Sequence, residues 1–445
     1  MADEVVGTAA GPGPAGAQRG VGAVAAARSW HRRRGPGPKP GRGPGPLVVW
    51  GPGLVVMLAD TDAGSLITAS QSGARFGYAM ILPQLILIPI LYVVQEITVR
   101  LGIVTGQGHG ALIRARFGRG WALLSAGTLL VSVIGALLTE FAGIAGVGQM
   151  FGVPTAVTVP LVTVFLLALA LTGSYGRVER IGIALGLAEL AFLAAALASH
   201  PDPGSLVRGL GSAPLGDRSY VLLLAANTGA VIMPWMVFYQ QGAVIDKRLS
   251  ITALRRARQD TAFGAVLTQL IMIAVLVAVA ATLTARPGAA LNSVGQIAAA
   301  LTPYLGHAAG TVLFGLGMLG AALVAAIVSS LAGAWGLAEV FGWQHTLNSR
   351  PGRRTAGFYL TYAAIHITGA VLVLASVDLV RLAVDVEVIN ALLLPVVLGF
   401  LLVLEAKALP AGWRMHGPRK YLAWALCLVV IAFGLYMAPA TLGWV

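Results

Sequence analysis

Charge and cysteine are both scarce in this sequence, and each scarcity excludes a class of protein. Only 11% of the 445 residues are charged, whereas soluble domains carry about 25%, so a large soluble protein is excluded. The single cysteine, Cys427, rules out an internal disulfide and lies in an apolar run, where we expect a core residue. With 57% hydrophobic residues, the composition predicts an all-α polytopic membrane protein with one membrane domain.

The apolar residues are gathered into eleven segments that are long enough to cross a bilayer, which takes about 17–25 residues. Residues 1–46 precede them and are rich in Gly, Pro, Ala and Arg. We therefore expect a disordered basic tail, followed by a transmembrane domain over residues 47–445. The predicted spans cover about 47–69, 78–104, 121–150, 155–171, 181–198, 220–241, 262–283, 310–340, 358–374, 383–404 and 421–442.

The basic residues fall mostly on one side of these spans. If the N-terminal tail is cytoplasmic, nearly all Lys and Arg lie in that tail and in the loops on its side. This asymmetry predicts a multi-pass plasma-membrane protein with a cytoplasmic N-terminus, in contact with membrane lipids. The net charge of +13 is spread over loops and not gathered on one face, which argues against nucleic acid as a partner. The opposite side keeps only Arg75, Arg208, Arg218, Arg286 and Arg381.

Two acidic residues interrupt the first span at its middle. Asp60 and Asp62 lie inside the apolar run and are followed by Gly64 and Ser65, which weaken a helix. A charge at bilayer depth costs at least about 2.5–3.5 kcal/mol, and no Lys or Arg occupies the middle of a predicted span. We predict a helix broken at mid-membrane, whose acids and freed carbonyl groups face a cation. The alternative is a kinked helix whose acids pair with a basic residue elsewhere in the bundle.

The sixth span is interrupted in a similar way. Its centre contains Asn227 and Gly229, and Pro234 removes a backbone hydrogen bond and clashes with the preceding turn. Two broken spans that are five spans apart predict an inverted repeat of five plus five spans, with a binding site at the repeat interface. Irregular backbone at this depth is tolerated only where it is buried in protein or lines a cavity.

Several motifs at matching distances resemble those of the NRAMP metal transporters, a family with the LeuT-type fold. The family's first span carries Asp-Pro-Gly-Asn after Gly-Pro-Gly, and here Asp-Ala-Gly-Ser at 62–65 follows Gly-Pro-Gly at 51–53. Its sixth span has Ala-x-x-Met-Pro-His, and residues 230–235 read Ala-Val-Ile-Met-Pro-Trp. The resemblance runs from about Leu47 through the last span. Further matches are Gln95-Glu96, Arg100-Leu101-Gly102, Val104-Thr105-Gly106 and Thr139-Glu140.

This resemblance implies a set of metal ligands. Asp62 would be the main ligand, joined by the backbone carbonyl of Ala230 and by the thioether of Met233, a soft donor that favours transition metals. A flexible core filler is the alternative interpretation of Met233. Ser65 stands at the family's asparagine, and Asp60 is an additional acid beside the site. The groups expected on a proton path or around the ligands are Glu140, Trp235 and Asn227.

Two departures from the family pattern remove groups that bind protons. Trp235 replaces a histidine, and Gly143 replaces the second acid of the third span, which leaves Glu140 alone. The chain therefore resembles most closely the branch that moves Mg²⁺ without proton coupling, whereas Met233 favours Mn²⁺. We expect a secondary transporter that brings Mn²⁺, Mg²⁺ or both into the cytoplasm by alternating access. We expect it to act as a monomer, with no cofactor besides the transported ion.

Rival functions require other residues. The main alternative is a Na⁺-coupled symporter of amino acids or related organic solutes on the same fold, although two acids at the first break would repel a substrate carboxylate. An intramembrane aspartyl protease needs a second mid-span aspartate on another helix, so no enzymatic activity is expected. A channel needs a ring of identical acids, which a single chain with inverted repeats does not offer.

Elsewhere on the spans, we expect Glu96 to pair with Arg100 one turn later. Asp385 and Glu387 are expected to be solvated near a span end.

Overall fold

The computed structural model describes residues 51–171, 174–283, 291–301, 306–344, 346–348, 351–375 and 378–441. The tail predicted over residues 1–46 lies outside the described residues. Within the described residues the regular elements are all helical and no strand occurs, which confirms the predicted all-α class.

The predicted spans all correspond to helices. In the described part of the chain, nine helices are long and apolar enough to cross a membrane. One of them, Ala63–Thr105, contains the second half of the first span and the whole second span, and the fourth span is the shorter helix Thr155–Ala170. The first half of the chain contains the helices of the first five spans and one connecting helix, α4. These helices are α1 (Pro52–Leu58), α2 (Ala63–Phe76), α3 (Ile81–Thr105), α4 (His109–Phe117), α5 (Arg119–Met150), α6 (Thr155–Ala170), α7 (Tyr175–Gly186) and α8 (Leu190–Ala198).

The second half of the chain contains the other broken span and two short connecting helices. The connecting helices, α9 and α13, have only eight residues each. The helices of this half are α9 (Pro203–Leu210), α10 (Arg218–Val231), α11 (Pro234–Asp246), α12 (Leu254–Leu283), α13 (Val294–Leu301), α14 (His307–Phe341), α15 (Ala356–Leu374), α16 (Leu379–Ala408) and α17 (Gly417–Thr441).

Both predicted interruptions are present. In the first span, α1 ends at Leu58 and α2 begins at Ala63, and in the sixth span α10 ends at Val231 and α11 begins at Pro234. Proline lacks a backbone N–H, so it suits the first position of a new helix and not a helix interior. Since α2 packs against α10 and both pack against α16, the two breaks lie in one region of the protein.

The helices around the breaks approach one another closely. Gly229 of α10 meets the backbone of α16, since a Cβ at this position would lie 1.9 Å from the carbonyl oxygen of Glu387. Only glycine permits such backbone-to-backbone contact between helices. Helices α5, α12 and α14 complete the surroundings, with α12 against both α1 and α2 and α5 against both α2 and α14. The two breaks are therefore enclosed by protein.

Candidate functional site

Asp62 occupies the first break and caps the helix that follows it. Its Oδ1 accepts a 2.7 Å hydrogen bond from the backbone N–H of Ser65, which satisfies one of the free N–H groups at the start of α2. Its Oδ2 accepts no hydrogen bond from any described residue, although the side chain is completely buried. One oxygen of Asp62 is thus fixed by the fold, and the other is left for a ligand.

Ser65 joins the two breaks. Its hydroxyl donates a 3.1 Å hydrogen bond to the carbonyl oxygen of Ala230. In an unbroken helix that carbonyl would accept from the residue four positions later, but that residue is Pro234, which has no N–H to donate. The structure therefore brings together three predicted site residues, Asp62, Ser65 and Ala230, and the carbonyl of Ala230 is free of helical pairing.

Met233 and Trp235 form a buried pair at the second break. Met233 precedes α11 with an extended backbone, and both side chains are completely buried. The indole Nε1–H of Trp235 donates to the Met233 sulfur over 3.1 Å. The residue that replaces the family's histidine thus orients the sulfur of the predicted thioether ligand.

Asp60 and Thr61 lie on the α1 side of the first break and contact α12. The Asp60 Oδ2 accepts a 3.3 Å hydrogen bond from the Thr268 hydroxyl, and the hydroxyls of Thr61 and Thr268 are 2.6 Å apart. The other oxygen of Asp60, Oδ1, is buried and accepts from no described residue. Asp60 is therefore buried beside the break with one oxygen unpaired, like Asp62.

Glu140 of α5 supports the first break from the opposite side. Its Oε2 accepts a 3.2 Å hydrogen bond from the backbone N–H of Ala63, and its Oε1 accepts from the Thr139 hydroxyl over 3.1 Å. The carboxyl group also faces Asp62. One turn later, a Cβ on Gly143 would lie 2.4 Å from the Cβ of Ala63. The packing of α5 on α2 thus leaves no room at this position for the acid that the resemblance leads us to expect there.

Asn227 is placed away from the first break. Its Nδ2 donates to the Ser72 hydroxyl over 2.7 Å, and its Oδ1 accepts from Gln84 over 2.6 Å. Ser72 lies ten positions after Asp62, about 15 Å along a helix. Asn227 therefore joins α2, α3 and α10 by hydrogen bonds, and none of the described hydrogen bonds of its side chain goes to another predicted site residue.

Two expectations about the remaining acids are confirmed and a third is wrong. Glu96 pairs with Arg100 over 3.3 Å, as predicted, and Asp385 is solvated, with a side chain 63% exposed. Glu387, however, is completely buried. Its Oε1 rests against the backbone of Gly64 without a hydrogen-bond donor among the described residues, because glycine leaves space for it there.

Glu189 is a buried acid that sequence reasoning missed. It lies in the fifth span, is completely buried, and neither oxygen accepts a hydrogen bond of good geometry from the described residues. It faces Thr61 and lies close to Asp60 and Asp62. A signal was present, since Glu189 is the only acid within the predicted span 181–198, and an ionisable residue inside a span suggests function by default.

The buried acids around the two breaks have no basic partner in the part of the chain that the structure describes. They are Asp60, Asp62, Glu140, Glu189 and Glu387. The ion pairs of the described residues involve other carboxylates, at Glu96, Glu179, Asp202, Asp385 and Glu405. The kinked helix with a basic partner is therefore not what the structure shows. Among the described residues no three His, Cys, Asp and Glu side chains converge closely enough to hold a metal. A metal at the breaks would need carbonyl, hydroxyl or thioether donors as well as carboxylates.

Comparisons with known proteins identify the family and the fold. The family model described as natural resistance-associated macrophage protein-like (Nramp) matches residues 53–439. The divalent metal cation transporter MntH of Yersinia pestis (strain Pestoides F) is 30% identical over 295 residues, which cover 64% of this chain and 71% of that protein. MntH of Chromohalobacter salexigens is 28% identical over 296 residues, covering 64% of this chain and 68% of that protein.

Solved structures support the same fold. The manganese transporter of Eremococcus coleocola, in complex with an aromatic bis-isothiourea compound, matches with a TM-score of 0.73 at 20% identity, covering 89% of this chain and 88% of that one. MHP1, a nucleobase-cation-symport-1 transporter, matches with a TM-score of 0.58 at 15% identity, covering 90% and 92%. At these identities the likeness concerns the fold alone, and it confirms the predicted LeuT-type architecture.

Proposed function

The chain belongs to the Nramp family, and on that premise we propose that it moves divalent metal cations, Mn²⁺ and/or Mg²⁺, into the cytoplasm by alternating access. Members of this family are transporters, so the prediction that the chain is a transporter and not an enzyme is confirmed. The finer statements that follow, on ligands, ion, coupling and orientation, are proposals.

The observation that carries the proposal is the unpaired oxygen of Asp62. A buried carboxylate with one oxygen that lacks a donor is costly unless something compensates the charge. Asp62 lies where two helices are interrupted, opposite a carbonyl of Ala230 that Pro234 has released from helical pairing. An anionic oxygen and a free carbonyl at facing helix breaks are what a desolvated cation requires in place of its water.

The proposed ligands are Asp62 Oδ2, the carbonyl of Ala230, the Met233 sulfur and the Ser65 hydroxyl, with Asp60 nearby. The Ser65 hydroxyl donates to Ala230 and would turn its lone pairs to the ion, since a hydroxyl rotates freely. The sulfur favours Mn²⁺, whereas the many oxygens and the additional acid Asp60 suit Mg²⁺, which keeps part of its water shell. We propose that both ions are accepted and that Met233 shifts the preference towards Mn²⁺.

We propose that transport is driven by the membrane potential and is not coupled to protons. Trp235 offers one N–H and no proton site, and Gly143, which packs on Ala63, stands where the resemblance leads us to expect an acid. The potential contributes about 2.3 kcal/mol per charge per 100 mV, or about 4.6 kcal/mol for a dication. At about 1.4 kcal/mol per tenfold change, this supports an inward gradient of roughly a thousandfold without protons.

We further propose a plasma-membrane protein with a cytoplasmic N-terminus that acts as a monomer among lipids. The orientation rests on the positive-inside rule. In the structure, Arg258 and Arg419, which come from two different predicted cytoplasmic loops, meet at Glu96 near the end of the second span, over 2.7 and 3.0 Å. Their convergence agrees with one basic, cytoplasmic side. Exposed apolar side chains such as Leu161 and Leu197 suit contact with lipid tails.

The test uses purified protein in liposomes with a pH dye and a metal dye inside. With an imposed negative interior, Mn²⁺ or Mg²⁺ should enter without acidification, and a pH gradient alone should not concentrate either ion. Protein-free liposomes give the leak rate. Metal-dependent acidification would contradict the uncoupled mechanism and point to Glu140 as the proton carrier, and the absence of any divalent influx would contradict the transport function itself.

A further inference from the structure

We propose that Glu189, with Asp60 and Thr61, forms a second cation position on the α1 side of the first break, separate from the position around Asp62. The inference rests on the proposed function, because it gives the transported ion a further place in the same core. Its ligands would all be oxygens, whereas the position around Asp62 includes the Met233 sulfur.

Glu189 lies in a tightened turn of the fifth span. A 3₁₀ turn, Leu187–Glu189, separates α7 from α8. Gly182, Gly186 and Glu189 are spaced by four and three residues, so they share one helix face. That face packs on α1, since a Cβ on Gly186 would lie 2.7 Å from the Cβ of Leu58, the last residue of α1. One turn further along, the same face presents Glu189 to the residues that follow Leu58.

The surroundings of Glu189 are polar and acidic. The side chain is completely buried, and neither oxygen accepts a hydrogen bond of good geometry within the described residues. Thr61 faces it, and Asp60 and Asp62 lie close by. Asp60 also has a buried oxygen without a donor. Two separate side chains, from different spans, thus bring unpaired buried oxygens to the surroundings of the first break.

A cation explains this arrangement better than packing does. Five carboxyl groups are buried around the breaks without a basic partner in the described part of the chain, and one dication supplies only two positive charges. A further cation between Asp60 and Glu189 would meet the unpaired oxygens of both. An all-oxygen set favours hard ions such as Mg²⁺ and Mn²⁺, whereas a soft ion such as Cd²⁺ prefers a site that contains sulfur.

The experiment measures how many metal ions the full chain binds. Equilibrium dialysis of the purified protein against Mn²⁺ should give two bound ions per chain for the wild type and one for Glu189→Gln, a substitution that keeps the size of the side chain and removes its charge. Against Cd²⁺, both proteins should bind one ion. Asp385→Asn, which removes a solvated carboxylate on the face of α16 opposite to Glu387, should still bind two Mn²⁺ ions.

Two results would overturn the second position: one Mn²⁺ per wild-type chain, or two per chain in Glu189→Gln. The wild-type count needs no variant, so the proposal stays testable even if Glu189→Gln does not fold, and Thr61→Val offers a milder change that should also weaken the second ion. If the wild type binds neither metal and transports none, the proposed function fails and this inference fails with it. A count of one in a working transporter overturns the inference alone.

Discussion

Asp62 has two roles that substitutions can separate, and Asp202 supplies a matched control. Asp62 caps α2 through a 2.7 Å hydrogen bond from the Ser65 N–H, and Asp202 caps α9 through a 2.7 Å bond from the Ser205 N–H. Both are aspartates that accept from a serine three positions later. Only Asp62 lies at the break of a span, so a difference between equivalent variants reports on the site and not on the cap.

The expected changes in stability follow from the capping role of Asp62, and the expected changes in affinity follow from its charge. Asparagine caps a helix about as well as aspartate, whereas alanine costs about 1 kcal/mol. Asp62→Asn should therefore unfold at nearly the wild-type temperature, and Asp62→Ala should lose about 1 kcal/mol of stability. Both Asp62 variants remove the charge that we propose to face the ion. We expect at least a hundredfold weaker Mn²⁺ binding from each, which corresponds to about 2.8 kcal/mol.

The assay combines calorimetric Mn²⁺ titration, thermal unfolding and Mn²⁺ uptake by liposomes. Hydrogen bonds from the side chain and backbone N–H of Ser205 lower the pKa of the Asp202 carboxyl, so the control residue is charged at the assay pH, as the comparison requires. Asp202→Asn and Asp202→Ala should take up Mn²⁺ at the wild-type rate. Wild-type uptake by Asp62→Asn, or equal losses in the Asp62 and Asp202 variants, would refute the assignment of Asp62 as a ligand.

Three further predictions concern selectivity, packing and energy. Met233→Ala should weaken Cd²⁺ and Mn²⁺ binding about tenfold in calorimetric titrations and change Mg²⁺ binding much less. Met236→Ala, at a fully buried methionine within α11, should not alter selectivity. Equal losses for all ions would make Met233 a packing residue. Gly143→Asp should destabilise the fold by about 1–3 kcal/mol through overpacking. In thermal unfolding, the additional change Ala63→Gly should recover part of that loss. No recovery would contradict the close contact between positions 143 and 63. At equilibrium, the ratio of ion inside to ion outside the liposomes should rise about tenfold for each additional 30 mV of negative-inside potential, as expected for a dication. Accumulation that follows the pH gradient would show coupling.

The two breaks could be predicted because their causes are local. Acidic residues inside one apolar run and Pro234 inside another disfavour an uninterrupted membrane helix whatever surrounds them. The pairing of Glu96 with Arg100 could be predicted for the same reason, since residues four apart meet on a helix. The contact of Ser65 with Ala230 is different, because it depends on how α2 packs on α10, and it was anticipated only through the resemblance to a known family.

Glu387 and Glu189 show two reasons why the rest was missed. Glu387 lies four residues into the predicted span 383–404, but α16 begins at Leu379 and carries it two turns deep. Its burial also depends on the missing side chain of Gly64, on a helix more than 300 residues away in sequence, which no local pattern reveals. Glu189 is the opposite case, because the rule that identified Asp60 as functional applies to it equally.

Trp235 bears on both the proposed metal selectivity and the proposed lack of proton coupling. A thioether sulfur has two lone pairs, and the indole N–H of Trp235 takes one of them over 3.1 Å. The sulfur of Met233 is thereby held in one orientation with its second lone pair free for a soft metal. A histidine at this position would bring a group that titrates near neutral pH, and tryptophan brings a donor that does not. Under the proposed assignment, ion preference depends on Met233 and proton coupling on other residues. Trp235→His should therefore introduce a pH dependence into Mn²⁺ binding between about pH 5 and 8 without abolishing it. A pH-independent affinity in that variant would show that the residue at this position does not communicate with the ion.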